Sequence, residues 1–339
     1  MTFADLSDRA QVDRLRAVAL EALAHYPVEP ARLRLLMHDF NTTFRVDTTE
    51  GAKFALRVDV NRRKPVAALE AELAWLAAID QDTRVVVPAP LAADDGRLHV
   101  PVTVDGVEGE LNVAVMSWLP GKDLDEPTVP ATFELGRQMA MLHDHASAWT
   151  LPAGVEFPAI DSVFMDSPDR LRPGHELISD EQRALLVEVL DRVEPTFHEM
   201  IEAGERMPIH GDLHQWNVKW LRGKMSVFDF DDAGIGVPAQ DLAITAFYLP
   251  DDDERRSEMR QALFEGYRTV RELPRFTDEQ FNAALAGRTL VLLNELVDMT
   301  SGESRNLVSK YLGNVVARMR SYLDTGVYRA RVPGVVPLS

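Results

Sequence analysis

The sequence predicts an α+β chain in two lobes, a small antiparallel-sheet lobe carrying one helix and then a larger, mainly helical lobe. Three observations predict it. The 339 residues make a two-domain length. The first third alternates short apolar runs with turn signals, whereas beyond Leu119-Pro120-Gly121 the apolar spacing becomes helical. Hydrophobic residues reach 46 %, enough for a sizeable core and too many for a disordered chain.

Arg14 to His25 reads as a helix, with Leu15, Val18 and Leu23 on one face. Leu33–Leu36, Thr43–Asp47 and Lys53–Val58 read as short strands, the last two joined by a Thr49-Glu50-Gly51 turn. Ala67 to Asp80 forms a helix, because Leu69, Leu73, Leu76 and Ile79 recur at spacings of three and four. Val85–Val87, Leu98–Val104 and Leu111–Met116 are further strands, joined at Asp94-Asp95-Gly96 and Asp105-Gly106. Helices are predicted over Thr132–His145, Asp180–Ala203, Arg255–Val270, Asp278–Met299 and Leu307–Leu323. The lobes are expected at residues 1–116 and 123–339, with a connection over 117–122.

Composition excludes several functions. The 54 acidic against 36 basic residues leave a formal charge of −18, with no surplus of cations for nucleic-acid phosphates. Zero cysteine excludes a disulfide framework, a zinc ribbon and a cysteine nucleophile. The segment Met1 to Ala10 carries Asp5 and Asp8 and no apolar run, so it does not read as a signal peptide, and no stretch approaches 18 apolar residues. A cytoplasmic protein acting away from membranes is expected.

The chemistry concentrates in two nearby segments, Pro208-Ile209-His210-Gly211-Asp212-Leu213-His214-Gln215-Trp216-Asn217-Val218 and Val227-Phe228-Asp229-Phe230-Asp231-Asp232-Ala233-Gly234. Trp220 to Lys224 between them has the character of a tight hairpin. Asn217 lies five residues beyond Asp212, and Asp229 twelve beyond Asn217. Such a set supplies hard oxygen ligands for Mg²⁺ together with one carboxylate able to take a hydroxyl proton. In the phosphoryl-transfer arrangement of kinases, a loop Asp orients the hydroxyl, an Asn five residues on holds metal, and the Asp of a D-F-G segment holds it too. Solvated loop acids are the competing explanation for any one of these residues, but not for the ordered set. His210 and His214, four apart, allow a zinc reading or a structural one, and the absence of a Glu beside the first favours structure.

With these segments in view, the chain resembles the aminoglycoside phosphotransferase/choline kinase family, a branch of the protein-kinase-like fold. The resemblance rests on His210-Gly211-Asp212-x-His214-x-x-Asn217, on the Asp229 segment, and on Asp241-Leu242-Ala243 at a helix start. It implies a bilobal fold with a nucleotide-binding N-terminal lobe, a hinge over 117–122 and a catalytic, acceptor-binding C-terminal lobe. It implies Asp212 as catalytic residue, Asn217, Asp229 and, less directly, Asp231 at the metal, and Asp241 holding the catalytic-loop backbone. His143, in a recurring Leu-His pair, is expected to be structural.

On the nucleotide side, the resemblance puts a phosphate-covering loop at His38 to Val46, including Phe40. That stretch has no glycine, and Asn41, Thr42 and Thr43 remain as donors; an ordinary hairpin turn stays open as the other reading. Phe54-Ala55-Leu56-Arg57-Val58 resembles the strand that carries a phosphate-gripping lysine, with Arg57 in its place. The expected helix partner is Glu72 rather than Glu70, and Lys53 is expected to face solvent. Backbone at Ser117, Trp118 and Leu119 is expected to meet the adenine edge.

The function implied is ATP- and Mg²⁺-dependent transfer of the γ-phosphoryl group to a hydroxyl of a small metabolite. Between Asp229 and Glu254 stand eight acids and no Lys or Arg, which suits a cationic acceptor if they line its site; a solvated helix surface explains Asp251 to Glu254 equally well. A Ser/Thr protein kinase of the bacterial stress-response type, acting on a basic segment, is the enzymatic alternative. A nucleotide-binding pseudokinase, suggested by Arg57 and the glycine-free loop, is the alternative of another class.

Overall fold

The computed structural model describes residues 3–39, 41–60, 64–165, 167–298 and 302–332. The chain divides into two compact units. One comprises Met1–Gly121, Thr150–Phe157 and Ser226–Phe228, the other Lys122–Trp149, Pro158–Met225 and Asp229–Ser339.

The N-terminal unit is built on an antiparallel sheet of five strands: β1 (Pro30–His38), β2 (Asn41–Thr48), β3 (Lys53–Asp59), β4 (Val100–Val102) and β5 (Leu111–Ser117), in the order β1-β2-β3-β5-β4. Alternation decides which side faces the core: Phe44 and Val46 of β2, Leu56 and Val58 of β3 and Val113 and Val115 of β5 are buried. Helix α1 (Asp8–Leu23) closes that face with Leu15, Val18 and Leu23, as its spacing predicts. It starts six residues before the predicted Arg14, with Asp8 in the first turn, where a negative charge meets the free N–H groups. The β2–β3 turn closes through the Thr48 N–H on the Ala52 carbonyl at 3.0 Å, with Gly51 at φ +85°. Helix α2 (Val66–Asp82) buries Leu69, Leu73, Leu76 and Ile79, and also Trp75, whose ring meets Phe157 edge-on at 5.9 Å.

Two predicted strands are smaller than expected. Val85–Val87 joins no sheet; Val86 makes one parallel bridge to Ser226, and Pro88 ends the run. Leu98–Val104 contracts to β4, an edge strand, where the missing N–H of Pro101 is tolerated.

The second unit is mainly helical: α3 (Val129–Ala148), α4 (Asp180–Ala203), α5 (Pro238–Phe247), α6 (Asp253–Arg268), α7 (Asp278–Asp298) and α8 (Gly302–Thr325). Met299, the predicted end of α7, lies outside the described residues. Helix α4 starts as predicted because Ser179 and Gln182 form a reciprocal capping box. Short strands frame the informative segments. β6 (Lys122–Asp123) pairs with β8 (Val218–Leu221), which turns back through Arg222-Gly223 into β9 (Lys224–Val227). β7 (Met207–Ile209) pairs with β10 (Gly234–Gly236). Among the described residues, no helix is long and apolar enough to cross a membrane.

Candidate active site

The β7–β10 pair brings the two informative segments together. Ile209 pairs with Gly234, so His210-Gly211-Asp212 leaves one strand beside the point where Asp229 to Asp232 enters the other. The His210 ring packs on Phe230 at 4.5 Å. Gly211 has φ +79°, and a Cβ there would stand 2.1 Å from the Asp232 carbonyl oxygen. Only glycine fits that approach.

Helix α5 holds the loop along one face. Asp241, Thr245 and Tyr248 follow one another at spacings of four and three, which stacks them on a single side. Asp241 accepts from the backbone N–H of His210 at 3.0 Å and of Gly211 at 2.9 Å. The Thr245 hydroxyl donates to the Leu213 carbonyl, and the Tyr248 carbonyl accepts from Gln215 at 3.1 Å. Asp241 is buried, and His143 Nε2 reaches its Oδ2 at 3.0 Å while Tyr267 stands 3.0 Å from Nδ1. Burial pushes the Asp241 carboxyl upward, but the His143 hydrogen bond and neighbouring histidines outweigh it and hold the group below the usual range. Asp241 and His143 thus have the architectural roles that the resemblance implied.

Asp212 sits in the loop with both carboxylate oxygens engaged. His214 Nδ1 accepts from the Trp216 N–H at 3.2 Å, which leaves Nε2 to donate to Asp212 Oδ2 at 3.2 Å. Asn217 Nδ2 donates to the Asp212 carbonyl at 2.8 Å and to Oδ2 at 3.2 Å. Arg288, from α7, donates to Oδ1 and, at 2.8 Å, to the Tyr248 hydroxyl. Burial alone would raise the Asp212 carboxyl; the His214 hydrogen bond and the Arg288 charge hold it below its ordinary value. Both nitrogens of His214 are therefore spent on the loop. Among the described residues, no group of three His, Cys, Asp or Glu side chains is arranged to hold a metal, which disfavours the zinc reading of His210 and His214.

Asp229 is exposed and has φ +65°, a left-handed conformation that Asp adopts more readily than most residues and that is costly enough to point to a purpose. Asn217 is buried, with its amide nitrogen turned to Asp212. An amide oxygen and a carboxylate are the hard donors a small divalent cation takes alongside phosphate oxygens. The acid run after α5 serves the fold instead. Asp252 caps α6 by accepting from the Arg255 N–H at 2.9 Å, Asp253 and Glu254 fill its first turn, and Asp251 faces Arg256 and Arg318.

The N-terminal unit carries a second cluster. Arg57 Nη1 meets Glu72 Oε1 at 2.7 Å, and Lys64 Nζ meets Oε2 at 2.8 Å. Glu72 is buried and braces both cations, while Glu70 turns to His99 at 3.4 Å. Asn41, Thr42 and Thr43 lie in β2, opposite Asp59, Val58 and Arg57 of β3, and not in a loop. The Thr42 hydroxyl is within 2.7 Å of His38 Nδ1 and buried. Phe40 lies outside the described residues. Ser117 ends β5, its N–H donating to the Ala89 carbonyl at 2.8 Å, and Trp118 carries Arg45 over its ring at 5.7 Å. Leu119 lies two residues beyond β5, outside any strand.

Four residues of these clusters are not among those the sequence singles out. Lys64 is one, brought to Glu72 by the connection between β3 and α2, while Lys53 is exposed as expected. Arg288 and Tyr248 are brought to Asp212 from other helices. The signal for Arg288 was present: a lone charge in the apolar stretch Phe281 to Leu293 needs a buried partner. Trp216 stands inside the motif yet is 53 % exposed, its ring edge-on to Tyr248 at 5.6 Å.

Comparisons with known proteins give the family and the fold. The model of the Phosphotransferase enzyme family (APH) matches residues 34–273. The solved structure of the microcompartment-associated aminopropanol kinase is 30 % identical, with TM-score 0.78 over 93 % of this chain and 99 % of that one. The amicoumacin kinase of Bacillus subtilis (strain 168) is 24 % identical over 274 residues, 76 % of this chain and 77 % of its own length. The solved amicoumacin kinase hAmiN, in complex with AMP-PNP, Ca²⁺ and Ami, shares the fold at TM-score 0.73 and 17 % identity, over 91 % of this chain and 96 % of that one. The chain belongs to the Phosphotransferase enzyme family and is a phosphotransferase with an alcohol group as acceptor.

Proposed function

We propose that this enzyme is a cytoplasmic kinase that moves the γ-phosphoryl group of ATP to a hydroxyl of a small cationic metabolite. The observation that carries the reading is the contact of Asp212 with Asn217, five residues on, in a loop clamped through its backbone by Asp241. Asp212 then accepts the hydroxyl proton as the acceptor oxygen bonds to phosphorus. The bond from γ-phosphorus to the bridging oxygen breaks, and ADP leaves with the electron pair. Arg57 and Lys64, braced by Glu72, supply positive charge to the triphosphate, and the backbone of Trp118 and Leu119 supplies hydrogen bonds to the adenine edge. Asn41 and Thr43 stand at the start of β2, paired with β3, and their side chains would supply the hydrogen bonds to phosphate. Asn217 and Asp229, with Asp231 nearby in sequence, would hold Mg²⁺. When bound, the cation neutralises charge developing on the phosphate oxygens. The protein's own contribution is positioning and electrostatic stabilisation, since a loose transition state leaves little covalent work to do.

Two features support a cationic acceptor. With Asp251 to Glu254 committed to the fold and Asp229 and Asp231 assigned to the metal, Asp232 lies within electrostatic reach of Arg288 and Glu295 within reach of Tyr248. The exposed Trp216 ring beside Tyr248 offers a face to an organic ammonium. The named relatives act on small molecules, aminopropanol and amicoumacin, which favours a metabolite over a basic protein segment.

ADP release is measured on small hydroxylated amines, matched uncharged polyols and Lys/Arg-rich peptides, with Asp212→Asn as control. Acceptor-dependent turnover confined to amines is expected. Turnover confined to polyols or peptides overturns the acceptor class, and full turnover by Asp212→Asn overturns the assignment of the base.

A further inference from the structure

Arg288 lies outside every motif and outside the stretch that the family model matches. Its side chain is 8 % exposed, on a helix whose neighbouring residues Ala283 to Ala286 and Leu290 to Leu293 are apolar. A buried guanidinium is costly unless paired, and an apolar residue of similar length would fill the same space. One terminal nitrogen reaches both Asp212 Oδ1 and the Tyr248 hydroxyl, and the guanidinium carbon lies 5.5 Å from the centre of the Tyr248 ring. Among the described residues its Nε is buried with no hydrogen-bond partner, so the side chain is placed for its tip, at some cost along its stem.

The division of labour on Asp212 is informative. His214 and Asn217 both approach Oδ2, and they belong to the same short loop as Asp212 itself. Among the described residues, the partner that reaches Oδ1 comes from α7, 76 residues away. The loop alone can hold one edge of the carboxylate but cannot stop its rotation about that edge. We infer that Arg288 is a positioning residue for phosphoryl transfer, fixing the Oδ1 edge of Asp212 so that the carboxylate presents one orientation to the acceptor hydroxyl. This rests on the reading of Asp212 as the base.

The charged and titratable groups facing the pair come from every side. His210 and His214 belong to the loop and Asp232 to the segment before β10. Tyr248 follows α5, Glu295 lies further along α7, and Tyr311 and Arg318 are on α8. Arg288 is the cation of this set in direct contact with Oδ1. Burial works against its charge, and the Asp212 carboxylate and Tyr248 hold the guanidinium protonated all the more firmly. Removing it takes away the contact on Oδ1 and leaves the carboxylate held by the loop at Oδ2 alone.

The test compares wild type with Arg288→Met, Arg288→Lys, Tyr248→Phe and Asp212→Asn. Each is assayed with the best acceptor of the panel above and with water as acceptor. For Arg288→Met, kcat is expected to fall by roughly 10²-fold, the lower end of what a placed general base contributes. The KM for ATP should stay within about twofold, because an effect confined to the base leaves nucleotide binding alone. Arg288→Lys keeps the charge and loses the fork, so it should recover part of kcat. Tyr248→Phe should show a smaller fall of the same kind. An Arg288→Met enzyme with unchanged or increased kcat overturns the inference. So does a loss of activity that only follows the folded fraction in a melting curve. If Arg288→Met does not fold, Arg288→Lys decides, and a wild-type kcat refutes the role. Inactive Asp212→Asn beside normal Arg288→Met defeats this inference alone, whereas active Asp212→Asn defeats the reading beneath it.

Discussion

The two charged clusters of this enzyme are built on different plans. In the N-terminal unit, Arg57 and Lys64 share the carboxylate of Glu72, and the cluster consists of three side chains on one strand, one connection and one helix. In the C-terminal unit, Asp212 belongs to a loop whose backbone N–H groups are taken by Asp241, whose close approach requires Gly211, and whose carboxylate is reached from α7. The first plan fixes charge and tolerates variation in which cation stands where. The second fixes the position of one carboxylate and tolerates little. Gripping a flexible triphosphate needs charge, whereas taking a proton in line with phosphoryl transfer needs geometry.

That contrast breaks if replacement at the second cluster proves mild. Asp212→Asn should lower kcat by about 10²–10⁴-fold and leave ATP affinity nearly intact, since the amide keeps the shape and loses the acceptor charge. Steady-state kinetics with varied ATP checks both halves, and near-normal kcat removes Asp212 from the role. Asp241→Ala should then act on the fold, because it strands two buried N–H groups and the His143 ring. A loss of roughly 3–5 kcal/mol is expected by urea unfolding, the scale of breaking a buried pair. The folded-state pKa of Asp241 is depressed, so its stabilising contribution is full above the ordinary carboxyl range and fades as pH falls through the folded value. Asp241→Asn should flatten that acid-side loss; an unchanged pH dependence of stability contradicts the assignment.

Asp229→Ala sharpens the contrast within the C-terminal unit. It should raise the divalent-ion requirement for ATP binding by about tenfold or more, on the order of the 1.5–3 kcal/mol of a charged contact. Magnesium titrations monitored by ATP-induced shifts in melting temperature report it. Unaltered Mg²⁺ dependence sinks the metal assignment. The smallest effects belong to the first cluster. Arg57→Ala should raise the KM for ATP and lower kcat together, with Arg57→Lys largely tolerated and Lys64→Ala milder because Arg57 remains. A double-mutant cycle on kcat/KM for Arg57→Ala and Glu72→Ala should give a coupling of about 0.5–3 kcal/mol. Additive, near-zero effects, as for surface residues, would show that Glu72 braces nothing functional.

The sequence by itself determined most of the elements and the loop from His210 to Asn217, and for a local reason. Helical and strand spacing marks buried faces directly, so α1, α2 and α4 and the β2–β3 hairpin could be placed from Leu15, Leu69, Leu73 and Gly51 without any knowledge of their neighbours. Asp212, Asn217, Asp229 and Asp241 stand within 30 residues at spacings that backbone geometry preserves, and the pairing of Arg57 with Glu72 follows from one strand facing one helix. Tertiary structure alone decided the rest. Val85–Val87 reads as a strand but finds no ladder, because a run of three apolar residues cannot say whether an edge will be available to it. Asn41 and Thr42 read as a loop ahead of the Thr43–Asp47 strand and pair as part of it, because β3 extends to Asp59 opposite them. Asp251 to Glu254 read as possible acceptor charge and serve as a helix cap, which only the start of α6 reveals. Arg288 and Tyr248 reach Asp212 across 76 and 36 residues, a separation at which no periodicity survives. A buried charge announces that it has a partner, but only packing of the chain names that partner.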